Sequence, residues 1–165
     1  MKKMVIMGLM VLAVAASSCS ANRSTSASND ELKAYVSKVV ADKDFKIVVN
    51  TAFPIGAQAI PLSSPYSLTI KGDSVNSYLP FFGQAYRVPY IGSVGLNFEG
   101  VMTDYNVMKG RNGDTVVKFK LTSPEDRHDY TIEIWNNGVS SIHVYSQNRQ
   151  SISFEGRLET TNKGE

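Results

Sequence analysis

The chain has 165 residues, with 17 lysines and arginines against 15 acids and a formal net charge of +2. Lys2 and Lys3 belong to an N-terminal export signal, so the mature chain sets 15 basic residues against 15 acidic ones and has no Lys/Arg cluster. That balance excludes the electrostatic footprint of a nucleic-acid binder, and a single cysteine, Cys19, excludes an intrachain disulfide.

Lys2 and Lys3 form a positive n-region, Met4 to Ala16 an apolar h-region, and Ala16-Ser17-Ser18-Cys19 reads as a bacterial lipobox. The apolar stretch spans 13 residues, short of the roughly 20 that a bilayer-crossing helix needs. Residues 1–18 are therefore expected to be a cleaved lipoprotein signal peptide, with Cys19 acylated as the first residue of the mature chain. Palmitate and the other acyl chains on Cys19 would make a membrane the first partner, without implying a reaction. Ala13-Val14-Ala15 leaves a rival open, in which an ordinary signal peptidase releases a soluble secreted protein.

From Ser20 to Asn29 the residues are small and polar, with Arg23 the one charge, so residues 19–29 are expected to be a flexible tether. Asn29 or Asp30 then caps a predicted helix whose Leu32, Tyr35, Val36, Val39 and Val40 recur at helical spacing, an amphipathic lid for a sheet. From Asp44 the period becomes two. Phe45, Ile47, Val49, Thr51 and Phe53 share one face, then Tyr66, Leu68 and Ile70. Further strands are predicted at residues 94–101, 105–109, 115–122, 130–135, 139–146 and 151–158.

Two turns fix register. A two-residue Asn137-Gly138 loop would set apolar Ile132 against His143. A three-residue loop with left-handed Gly138 instead pairs Tyr130 with Val144 and Ile132 with Ile142. The same geometry at Arg111-Asn112-Gly113 sets Val107 opposite Val117 and Tyr105 opposite Phe119. Bulges at both hairpins add twist, so the expected fold is mainly β: an antiparallel meander forming a curled sheet or a small barrel, open or closed, with one N-terminal α-helix packed on it. Residues 30–158 make the single β-rich globular domain, and residues 159–165 a frayed tail.

The segment from Tyr78 to Tyr90 has neither period. Pro80 and Pro89 forbid a central strand, and five aromatics stand close to Arg87. They either plug one end of the sheet as core or wall an apolar pocket, so Tyr78, Phe81, Phe82, Tyr86, Arg87 and Tyr90 are the candidate binding residues. Around this segment the chain resembles a known family. Ser77-Tyr78-Leu79-Pro80-Phe81-Phe82-Gly83-Gln84-Ala85-Tyr86, then Pro89-Tyr90, Leu96-Asn97-Phe98 and Asn148-Arg149-Gln150-Ser151-Ile152-Ser153-Phe154-Glu155-Gly156 are similar to lipoproteins of the domain of unknown function 4251 family. The resemblance implies an exported envelope protein of gut-dwelling anaerobic Gram-negative bacteria and carries over no catalytic residue. In such bacteria surface-exposed lipoproteins carry acids soon after the lipidated cysteine. Here the first acid is Asp30, so an outer-membrane anchor facing the periplasm is expected.

Catalytic patterns are sparse. His128 sits in Glu125-Asp126-Arg127-His128-Asp129, which reads as a solvated loop without a second metal-ligand cluster, and hydrolase chemistry at His128 is the weakest option. His143, beside Tyr145 and near Trp135, reads as an outward cross-strand cluster or a carbohydrate-stacking platform. No nucleophile elbow, metalloprotease helix, phosphate loop or dinucleotide fingerprint occurs, and no cofactor or metal is implied. The expected function is non-enzymatic binding of an apolar small molecule or lipid, with a protein–protein adaptor of an outer-membrane complex as the alternative.

Overall fold

A computed structural model describes residues 23–87, 95–122 and 126–160. The expected signal peptide, Cys19, Tyr90 and Glu125 lie outside the described residues.

Helix α1 (Arg23–Ala41) begins ahead of the expected Asn29 or Asp30 start. Serine and alanine tolerate helix well enough for a helix held by its packed half to propagate back through them. Val36, Val39 and Val40 are buried, as the helical spacing predicted. The helix ends at Lys43, whose left-handed backbone (φ 52°) follows a bond from the Asp42 amide to the Lys38 carbonyl.

Nine strands follow: β1 (Asp44–Pro54), β2 (Ile60–Pro61), β3 (Ser67–Lys71), β4 (Ser74–Leu79), β5 (Leu96–Lys109), β6 (Thr115–Thr122), β7 (Arg127–Ile134), β8 (Val139–Ser146) and β9 (Ile152–Leu158). β1 and β3 to β9 run antiparallel in sequence order. β9 then returns to β1, from Ile47 opposite Leu158 to Pro54 opposite Ile152. The meander is thus a closed eight-stranded barrel, which removes its edge strands, and β2 adds two residues beside the end of β1. Gly156 lets the seam close: a Cβ there would collide with the Val48 carbonyl and the Val49 Cα.

Both predicted hairpins hold. Gly113 and Gly138 are left-handed (φ 78° and 77°), Val107 faces Val117, Tyr130 faces Val144 and Ile132 faces Ile142. A bulge between Thr103 and Asn106, with Asp104 left-handed at φ 56°, sets two residues, Asp104 and Tyr105, against Phe119 and merges two expected strands into the long β5. A second bulge, between Val49 and Thr51, reverses the inward parity of β1. Phe45, Ile47 and Val49 point in, but Ala52 replaces the expected Thr51, and Phe53 turns outward. β4 was not expected, because its inward residues Val75, Ser77 and Leu79 include a polar one.

Interior positions are filled by large side chains. Phe119 and Tyr130 stack at 5.0 Å, and Ile47, Ile132, Ile142 and Phe154 are fully buried around them. One barrel end is plugged by α1. There the Tyr105 hydroxyl donates to the Val40 carbonyl at 2.8 Å, and Lys43 lies over the Tyr105 ring while pairing with Asp73 at 2.7 Å. Burial pushes the Tyr105 hydroxyl up to about 12.

Candidate functional site

The opposite end of the barrel is covered by the segment that leaves β4. Leu79 is fully buried and Pro80 buried, so the chain turns inward at the end of the strand, and Phe81 and Phe82 pack half-buried against the core. Residues 84–86 then pair like a strand with residues 148–150. The Gln150 amide donates to the Gln84 carbonyl at 3.0 Å, the Tyr86 amide to the Asn148 carbonyl at 2.7 Å, and the Gln84 amide to Gln150 Oε1 at 2.9 Å. The first and last of the sequence strings that carry the family resemblance therefore meet here as a lid. Arg149, 8% exposed, lies 5.4 Å over the Phe81 ring, and its Nη1 donates to the Gly95 carbonyl at 3.1 Å. Arg149 rather than Arg87 is the arginine of this lid; Arg87 is exposed.

Beneath the lid is a buried polar chain. His128 lies on β7 with 1% exposure, stacked 4.7 Å on Phe98, and its Nδ1 is 2.8 Å from Ser146 Oγ. The solvated loop expected around it is instead strand, since Arg127 and Asp129 point outward while Asp126, His128 and Tyr130 are buried. The Tyr130 hydroxyl donates to Ser77 Oγ at 3.1 Å, and Ser77 to the Leu96 carbonyl at 2.7 Å. The Asp126 carboxylate accepts the Arg127 and Asn148 amides at 2.7 and 3.1 Å. Burial holds His128 below the ordinary imidazole value, with Arg149 adding to the effect and Asp126 and Asp129 opposing it. Hydrogen-bonded, stacked and covered, His128 is a packing group whose ring is shielded from a substrate.

Five of the six aromatic-segment candidates are thus divided, Tyr90 lying outside the described residues. Phe81 and Phe82 belong to the lid, Tyr86 is 65% exposed above it, Arg87 is exposed beside it, and Tyr78 stands outward on β4 at 45% exposure. Tyr78 has a partner that its sequence neighbours did not disclose: the Tyr66 ring, at 5.3 Å and tilted by 33°. Ser67 and Asn97 flank Tyr78 in direct register, and Asn76 lies one row along. His143 is outward as expected, with Nδ1 2.7 Å from Ser153 Oγ.

A cleft of about 770 Å³ opens between α1, the start of β1 and the end of β3. Tyr35, Val39 and Phe45 form its floor, and Lys38, Asp42, Asp44 and Lys71 its rim, with Lys46 and Glu159 paired at 3.1 Å. Val39 and Phe45 expose only 9% and 5% of their surface. Among the described residues no group of three or more acids, histidines or cysteines could hold a metal, and no helix is long and apolar enough to cross a membrane.

Comparison with known proteins gives a consistent result. A domain-of-unknown-function family model, DUF4251, matches residues 27–158, while a short match of residues 7–29 to the cytomegalovirus glycoprotein N terminal model carries no argument. No curated protein matches the chain. The crystal structure of a DUF4251 family protein from Bacteroides eggerthii is similar with a TM-score of 0.63 at 12% identity, over 84% of this chain and 93% of that one. At that identity the likeness speaks for the barrel alone, whereas the family model spans most of the sequence: the chain belongs to the DUF4251 family.

Proposed function

We propose that this protein is a lipid-anchored envelope domain that binds through its outer surface and catalyses no reaction. The observation that carries the reading is the filled barrel: large side chains occupy the interior, α1 and the lid cover its ends, and the exposed ring of Tyr78 stands outside against the half-buried Tyr66. The anchor is Cys19 in the outer membrane, supported by the lipobox, and the domain faces the periplasm, supported by the absence of acids before Asp30. Replacing Cys19 by Ala is expected to move the protein from the membrane to the soluble fraction; unchanged membrane retention refutes the anchor. For the outer surface, a photoreactive side chain in place of Asn97 in the full chain should yield adducts in intact cells, and one in place of Thr131 should not. The opposite pattern sinks the reading.

The cleft beside α1 supports a second reading, a small amphiphile whose polar head meets Lys38, Asp42, Asp44 or Lys71 while its apolar part rests on Tyr35. Native mass spectrometry of purified protein distinguishes it through a co-purified mass that a Val39→Trp substitution removes.

A further inference from the structure

On β6 and β7 the outward positions carry charge: Lys118 and Lys120 on β6 and Asp129 and Glu133 on β7 are all exposed. The lid-side ends of β3, β4 and β5 differ. Their outward side chains are Ser67, Tyr78 and Asn97 in one cross-strand row, with Asn76 beneath and Tyr66 leading into β3. The exposed Tyr78 ring, the half-buried Tyr66 ring beside it, two carboxamides and a hydroxyl stand there, and Glu99, directly opposite Asn76, marks the border.

We propose that this face is a binding site for a neutral saccharide chain. The proposal rests on the outer-surface reading above and adds the ligand's chemical class. A sugar ring presents a face of weakly positive C–H groups and a rim of hydroxyls. The C–H face lies on the negative face of an aromatic ring, which Tyr78 offers at 45% exposure. Each hydroxyl both donates and accepts, and each carboxamide does the same through its NH₂ and its oxygen, so Asn76 and Asn97 match neighbouring hydroxyls in either sense. Strand spacing of about 4.8 Å sets Tyr78 and Asn97 side by side at the scale of one sugar unit. An anionic ligand would lose hydration here without gaining a counter-charge. A protein interface of any strength needs an apolar centre, and serine and asparagine surround this tyrosine pair instead. Tyr145 on β8, exposed to 55%, is a weaker platform because Asp129 lies directly opposite it and Lys120 opposite Asp129.

The test is affinity electrophoresis of the full-length chain in a polyoxyethylene detergent, through native gels containing dextran, mannan, xylan or galactan. Retardation by at least one polysaccharide is expected. Tyr78→Ala should weaken it about tenfold, and Asn76→Ala should weaken it too. Tyr78→Phe keeps the ring and should stay retarded, which separates lost stacking from lost folding, and Tyr145→Ala should behave as wild type. Free migration in all four gels, or undiminished retardation of Tyr78→Ala, overturns the saccharide. Adducts at position 97 together with free migration overturn the saccharide while leaving outer-surface binding intact; absence of both overturns the two together.

Discussion

Arg149 and Arg87 carry the same charge in opposite circumstances. The first is packed on Phe81 and bonded to Gly95, and the second is exposed, so Arg149→Ala should lower the unfolding free energy by about 2 kcal/mol and Arg87→Ala by less than about 0.5. Phe82→Ala should also cost about 2 kcal/mol, less than a fully buried phenylalanine, while Tyr86→Ala stays within about 0.5. Urea unfolding of the four variants checks both pairs, and a large loss in Tyr86→Ala would mean that the lid extends further than its contacts indicate. His128 gives a pH dependence. Its folded value lies below the unfolded one, so the unfolded chain takes up the proton first as pH falls. Stability is therefore complete above the unfolded imidazole range and declines below it until the folded value is passed. The melting midpoint should drop from pH 7 to pH 5 by more in wild type than in His128→Gln; equal drops would assign the acid sensitivity elsewhere.

At the level of elements, the two hairpins were legible because Asn-Gly pairs dictate left-handed turns, and facing apolar residues then leave one register. The helix was legible from Val36, Val39 and Val40. β4 was hidden, since its inward Ser77 is satisfied by Tyr130 and Leu96, groups 53 and 19 residues away, and local pattern carries no trace of such distant partners. The start of β7 was hidden for a similar reason: Asp126 and His128 break the apolar alternation with buried polar groups. Of the candidate site, Tyr78 was visible and Tyr66 was not, because their contact depends on the β3–β4 pairing. The α1 plug invites a test at this scale. Tyr105→Phe removes the donor to the Val40 carbonyl and should cost about 1 kcal/mol, read by thermal melts; an unchanged midpoint would show that α1 is held without this bond.

For the whole molecule, closure was the undecided point, and it depends on a contact between the first and last strands. The β1 bulge and Gly156 meet at that seam, so Gly156→Ala must push the Val48 backbone away. It should lower the melting midpoint by about 5 °C or more, consistent with an overpacking cost of about 1–3 kcal/mol. A variant as stable as wild type would mean that the seam adjusts freely.

The seam also makes the barrel's mechanical response depend on direction. β1 begins and β9 finishes at the same end, with Ile47 opposite Leu158, so a load between the two termini peels the pair apart one hydrogen-bonded rung at a time. A load between the N-terminus and the Tyr66–Tyr78 face instead runs along the strands, and many rungs must yield together. Force spectroscopy with handles at the termini should rupture the fold at a several-fold lower force than with one handle moved to β4. A barrel built this way resists tension applied to that face while remaining easy to unzip from its ends.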